Sequence, residues 1–273
     1  MAYVEINGVP PGLDGLHRAA TWNYGHFTSM QVRDRRVAGL AFHLDRLRAA
    51  SAVLFPELAP PGDGTVVALI VRALRDLRDA SVRVTVLPLA AAGGVADVMV
   101  SVSEPVPDVA RAPLRVRTVV YERELSQLKH VATLGLTYHA REARRAGFDD
   151  ALFVGRDGDL REGTVWNVAF WDGERVIWPD APVLGGITMR VLKIGLEELR
   201  IPYAEKVLTL TDLPRMRGAV AVNSHSPAQP IGSVDGVGLP GHPTLTDLLR
   251  RAWSAVDGDE LTGAGGAGGG WPG

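Results

Sequence analysis

Apolar positions change period along the chain, and the changes mark out its elements. Residues 3–9 alternate around Val4, Ile6 and Val9, which predicts a short strand ending at the Pro10-Pro11-Gly12 break. Residues 26–33 and 36–41 read as two strands about the polar turn Arg33-Asp34-Arg35. Phe42, Leu44, Leu47, Ala50 and Leu54 then recur at helical spacing, as do Val67, Ile70, Val71, Leu74 and Leu77, so helices are expected over 42–54 and 64–79. Strands over 82–88 and 97–103 complete a first half in which helices and strands mix, an α+β arrangement.

Glu104-Pro105-Val106-Pro107 through Pro113 is proline-rich and polar, and reads as a linker. Beyond it the pattern predicts a strand at 114–120, a helix at 130–146, and short strands at 150–154, 159–161, 166–171 and 175–178. A helix at 187–200, strands near 203–209 and 218–223, and a helix at 244–256 follow. The expected organisation is an N-terminal α+β domain over 1–108, a C-terminal domain over 113–262 and a flexible glycine-rich tail over 263–273. The tail contains the letters GxGxxG. A dinucleotide fingerprint must follow a strand and open a helix, whereas these residues end the chain.

Composition narrows the chemistry. Of 273 residues 46% are hydrophobic and 22% charged, and the net charge is −2, so the broad basic field of a nucleic-acid binder is missing. No apolar run approaches the roughly 20 residues of a membrane helix. The chain has no cysteine, which excludes disulfides, thiol catalysis and cysteine-ligated zinc and suits a cytoplasmic enzyme. His130 and His139 lack metal-ligand spacing, so no metal is expected. The basic residues are nearly all arginine, and lysine occurs only at Lys129, Lys193 and Lys206. Arginine stays protonated, so any imine chemistry is confined to these three.

Lys129 stands before the expected 130–146 helix. It reads either as a solvated lysine or as an amine whose pKa falls from about 10.4 in the field of the helix start, as imine formation requires. Glu162 is a surface carboxylate on one reading and, on another, a partner for a pyridine nitrogen. Gly185-Gly186-Ile187-Thr188 precedes a helix, as a phosphate cradle or an ordinary glycine turn with a threonine cap. Asn223-Ser224-His225-Ser226 is a second cradle or a turn. Arg46 reaches a phosphate bidentately or lies on the polar face of its helix.

Together and in this order, these stretches resemble the class IV aminotransferases, the fold-type IV pyridoxal phosphate enzymes. The resemblance rests on Tyr24-Gly25-His26-Phe27-Thr28, His43-Leu44-Asp45-Arg46-Leu47, Leu128-Lys129-His130, Gly147 through Val154, Glu162-Gly163-Thr164 with Asn167, Gly186-Ile187-Thr188, and Asn223-Ser224 with Pro230-Ile231. It covers nearly the whole chain, from about residue 3 to 256. It implies an N-terminal α+β domain and a C-terminal β-barrel-like domain that bind pyridoxal 5′-phosphate, with an amino donor and a keto acid acceptor as substrates, in a homodimer. Lys129 would hold the cofactor as a Schiff base and then move the proton, and Glu162 would face the ring nitrogen. Arg46, Ile187 through its backbone, Thr188 and Ser224 would hold the phosphate, with Asn167 among the cofactor-binding residues.

Three positions depart from the family pattern. Trp22-Asn23-Tyr24-Gly25 replaces a common Gly-Asp-Gly, Trp166 stands where a serine often precedes Asn167, and Met189 separates Thr188 from Arg190. The first two point to a reshaped substrate pocket. Transamination is the leading expectation. Aminodeoxychorismate lyase, releasing pyruvate, is the alternative suggested by Phe27-Thr28-Ser29, Leu128-Lys129-His130 and Asn223-Ser224. A non-catalytic homologue is the third reading, against which the joint presence of Lys129 and Glu162 argues.

Overall fold

The computed structural model describes residues 3–88 and 94–262, and the tail expected to be flexible lies outside them. The chain forms two compact units. One comprises Met1–Pro107, Leu128–Ala132 and the residues from Gly258, and the other comprises Asp108–Gln127 and Thr133–Asp257. The sequence-based segment 113–262 is therefore interrupted twice by residues that cluster with the first unit.

The first unit contains β1 (Tyr3–Ile6), α1 (Leu13–Thr21), β2 (His26–Val32), β3 (Arg36–Val37), α2 (Leu40–Leu54), α3 (Asp63–Leu74), β4 (Ala80–Leu87) and β5 (Asp97–Ser103). Its antiparallel sheet runs β1-β5-β4-β2. Alternate residues Val82, Val84 and Val86 on β4, and Val98, Val100 and Val102 on β5, join Leu47, Leu54, Ile70 and Leu74 in one core. Leu128–Ala132 adds a further extended segment along β2: Phe27 N donates to Lys129 O and Val131 N to Gly25 O, each at 2.9 Å.

The second unit contains β6 (Leu114–Val120), α4 (Leu134–Arg145), β7 (Asp150–Val154), β8 (Leu160–Gly163), β9 (Asn167–Trp171), β10 (Val176–Pro179), α5 (Ile187–Glu198), β11 (Tyr203–Lys206), a 3-10 turn at Leu210–Arg215, β12 (Gly218–Asn223), β13 (Ser226–Val234), β14 (Val237–Gly238) and α6 (His242–Ser254). Its nine-stranded sheet runs β11-β10-β9-β12-β13-β6-β7-β8, with β14 beside β13. The sheet curls into a half-barrel. Its ends approach where Leu160 N donates to Leu208 O at 2.7 Å and Asp159 bridges Thr209. Both faces are covered, which explains the unbroken apolar run of β12. Ala219 and Ala221 face the barrel core with Phe170 and Ile231, while Val220 and Val222 pack with α5 and α6 residues such as Leu192 and Leu249. Back in the first unit, β15 (Asp259–Glu260) pairs antiparallel with β3. No helix among the described residues is long and apolar enough to cross a membrane.

Several elements differ from the sequence expectation; the strand expected over 36–41 is confined to Arg36–Val37, with α2 starting at Leu40, and the short β14 and β15 were not expected. Helix α1 has no buried residue, and Leu13 and Leu16 are exposed, so it has no core-facing stripe to read. Strand β13 was unexpected because it carries Pro227 and Pro230. Both lie in the half that pairs only with β12, and pairing with β6 begins at Ile231, so that neither proline interrupts a two-sided ladder. The helix expected from 130 begins at Leu134 instead. The residues before it run along β2, and Lys129 lies in this extended segment, outside any regular strand or helix.

Candidate functional site

In the first unit the sheet pairing determines what surrounds Lys129. His26 stands opposite His130 in the antiparallel bridge, which brings Phe27 level with Lys129 on the same face. Lys129 Nζ lies 5.0 Å from the centre of the Phe27 ring, and the guanidinium of Arg83 stacks at 3.5 Å from the same centre. Lys129 is half-buried. Of the other lysines, Lys193 is ion-paired to Glu205 at 2.9 Å and lies 5.9 Å from the centre of the Trp178 ring, and Lys206 is exposed at the end of β11.

The opposite face of β2 meets α2. Thr28 Oγ1 and His43 Nδ1 are 2.6 Å apart, and His26 Nε2 and Ser51 Oγ are 3.0 Å apart, all four residues being buried. Arg46 follows His43 on α2 by one turn. Burial lowers His26 to about 4. Burial first, then the positive charges of Arg46 and Lys129, lowers His43 to about 3. Both imidazoles are thus neutral at pH 7. An unfolded histidine titrates near 6.5, so below that pH the unfolded chain binds protons that the folded chain refuses. Stability present above pH 6.5 is therefore lost as the pH falls toward 3. The two histidines together should remove roughly 8 kcal/mol over that range. Urea unfolding measured in steps from pH 7 to 3 checks this, and a His26→Asn/His43→Asn double variant should show a flatter profile. An equally steep profile in that variant would assign the acid sensitivity elsewhere.

In the second unit a single loop gathers four of the sequence candidates. Glu162 is the penultimate residue of β8, Asn167 opens β9, and Gly186 is the N-cap of α5, whose first residues are Ile187 and Thr188. All four candidate side chains are buried. Leu184 is gripped from both sides: its N–H donates to Glu162 Oε2 at 3.1 Å, and its carbonyl accepts from Asn167 Nδ2 at 2.8 Å. A Cβ on Gly186 would fall 1.9 Å from Asn167 Oδ1, so glycine is required for the amide to lie against the helix start. No side chain caps that helix. The backbone N–H groups of its first turn have no acceptor within the helix and carry its positive dipole end.

No motif in the sequence points to the partner of Glu162. Its Oε1 accepts from Arg123 Nη1 at 2.7 Å, in an ion pair whose side chains are 8% and 7% exposed, and Arg123 also donates to Ser126 O. Arg123 sits in the charged run Glu122-Arg123-Glu124, and no local pattern links it to a residue so distant in the chain.

Trp166, expected to reshape a substrate pocket, is turned inward. Gly163 N donates to Trp166 O, and the indole covers Gly163 so closely that a Cβ there would lie 2.0 Å from Trp166 Cε2. The indole N–H donates to the buried carboxylate of Asp150, which also accepts from Thr164 Oγ1. Trp166 is a core residue for this reason. Ser224 lies in the turn joining β12 and β13, where Asn223 Oδ1 accepts from His225 N and Ser226 N. Asn223 Nδ2 donates to Val165 O, tying this hairpin to the Glu162–Asn167 loop. Of the sequence candidates, Lys129 and Arg46 belong to the first unit, and Glu162, Asn167, Ile187, Thr188 and Ser224 to the second. Among the described residues no group of three or more histidines or carboxylates is placed to hold a metal ion.

Comparison with known proteins gives one family. The amino-transferase class IV family model matches residues 25–234. A hypothetical aminotransferase from Mycobacterium tuberculosis, in its PLP-bound form, is similar at 23% identity over 88% of this chain and 91% of that one, with a TM-score of 0.77. The branched-chain amino acid aminotransferase of Escherichia coli is similar at 18% identity, 92% and 93% coverage and a TM-score of 0.80. A putative 4-amino-4-deoxychorismate lyase from Legionella pneumophila is similar at 21% identity, 86% and 93% coverage and a TM-score of 0.72. No curated protein sequence matches the chain.

Proposed function

The chain belongs to the class IV aminotransferase family, and from that premise we propose that it is a pyridoxal 5′-phosphate-dependent aminotransferase acting on a small amino acid and keto acid pair. The observation that carries the reading is the Glu162–Leu184–Asn167 lattice, which ties a buried carboxylate to the uncapped start of α5. A buried carboxylate suits a protonated ring nitrogen, and an uncapped helix start suits a phosphate. A half-buried lysine amine on an aromatic face supplies the third group such a cofactor needs. The donor set therefore fits pyridoxal phosphate.

When bound, the cofactor supplies an electron-accepting ring that makes the substrate's α-proton acidic. Lys129 would carry the cofactor covalently and, once released by the amino donor, take that proton on Nζ and return it. Glu162 would face the ring nitrogen, with Arg123 and Leu184 N fixing its carboxylate in direction. Arg46, the backbone of Ile187, Thr188 and Ser224 would hold the phosphate, and Asn167 would keep the helix start in place. The reading carries the family's usual homodimer and a cytoplasmic setting.

A lyase that eliminates pyruvate from aminodeoxychorismate is the second reading, supported by the Phe27-Thr28-Ser29 and Leu128-Lys129-His130 stretches and by the likeness to the Legionella protein. The fate of the substrate nitrogen separates the two. Mixed with one amino donor and no keto acid, an aminotransferase should lose its visible cofactor absorbance in proportion to the donor consumed, and added keto acid should restore it. If no donor in a panel of L- and D-amino acids does this while aminodeoxychorismate yields pyruvate with the absorbance unchanged, the lyase reading replaces ours.

A further inference from the structure

We propose that His43 is a positioning residue: through its contact with Thr28 it fixes helix α2, and with it Arg46, against strand β2, along which the segment carrying Lys129 runs. The proposal rests on the assignment of Arg46 to the cofactor phosphate made above.

The interface between β2 and α2 is built from apolar residues such as Met30, Val32, Leu47, Ala50 and Leu54, and two polar rungs cross it. In one, an imidazole from the strand meets a hydroxyl from the helix, His26 to Ser51. In the other the roles are exchanged, Thr28 to His43. His26 and Thr28 share a face of β2 because they are two residues apart, and His43 and Ser51 share a side of α2 because they are eight apart. Apolar packing is non-directional and tolerates small slides of a helix over a sheet. A buried imidazole–hydroxyl pair is satisfied in one register only, and breaking it leaves desolvated polar atoms.

The consequence runs along a short path inside one unit. Lys129 O is held by Phe27 N, and Phe27 precedes Thr28. Thr28 meets His43, and Arg46 lies one turn beyond His43 on the same helix. Rotation or sliding of α2 at His43 therefore displaces Arg46 relative to the segment that carries Lys129. His43 remains uncharged at neutral pH beside two cations, so it holds the geometry without adding a third positive charge.

The test compares dissociation constants of the full-length protein for pyridoxal 5′-phosphate and for pyridoxal, which lacks the phosphate. In Thr28→Val the constant for the phosphate form should rise about tenfold, because small misplacements of a binding group are costly, while that for pyridoxal stays nearly unchanged. Thr28→Ser should restore the wild-type ratio. Leu54→Ala, which loosens the same interface without touching a rung, should lower the melting temperature and leave the ratio alone. If Thr28→Val does not fold, His43→Leu is read in the same way. The proposal is overturned if the ratio is unchanged, or if Leu54→Ala moves it equally. Arg46→Ala separates the two layers of argument: an unchanged ratio there refutes the phosphate assignment itself, whereas a changed ratio there with none in Thr28→Val refutes only the role of His43.

Discussion

Lys129→Ala should reduce turnover by at least about four orders of magnitude, because one change removes both the covalent anchor and the proton-transfer base. In the wild-type protein, borohydride reduction in the presence of pyridoxal phosphate should fix a single adduct, and peptide mass mapping should find it on Lys129. The other lysines are poor competitors on physical grounds. Lys193 Nζ is held by Glu205, and Lys206 sits exposed at the end of β11, in the field of the Asp172 carboxylate. An adduct on Lys193 or Lys206 in Lys129→Ala, with turnover retained, would falsify the assignment of the nucleophile.

Glu162→Gln should lower the turnover number by about two to three orders of magnitude, each factor of ten being about 1.4 kcal/mol of lost transition-state stabilisation. The amide has one oxygen where the carboxylate has two. Arg123 Nη1 and Leu184 N both donate to the native side chain, so the variant must set an NH2 against one of them. A small loss of thermal stability should accompany the kinetic effect. Cofactor affinity should fall much less than turnover, since the phosphate contacts are untouched. An unchanged turnover number with the cofactor bound would remove Glu162 from the mechanism and leave its pair with Arg123 as a structural one.

Much of the fold was legible because one face of most elements is buried. The 3.6-residue period of α2 and α3 and the alternation of β4 and β5 appear in the sequence since Leu47, Ile70, Val84 and Val100 all enter one core. Where that asymmetry is missing the reading failed, as with α1. The backbone after Lys129 differs from the expected helix start for a related reason. Val131-Ala132-Thr133 carries no period of its own, so the helix that follows was extended backward over it, whereas the backbone of 129–131 is set by pairing with β2, a partner distant in the chain. The candidate residues of the α5 start and the Glu162 loop were found because glycine and a short motif mark them locally. Arg123, Asp150 and the Thr28–His43 pair were missed because their roles arise from contacts between residues 14 to 39 positions apart.

The chain order of the first unit has a consequence for synthesis. Its sheet ends at β2, and the edge of that strand is covered by Leu128–Ala132, residues made only after the start of the second unit. β3 waits longer still, for β15 near the end of the chain. A nascent chain emerging from the ribosome therefore displays an open strand edge, a ready template for pairing with a neighbouring chain, until the segment bearing Lys129 arrives to close it. The residue assigned the chemistry thus sits on the piece of backbone that completes the sheet, and a truncated product ending near residue 107 would lack both.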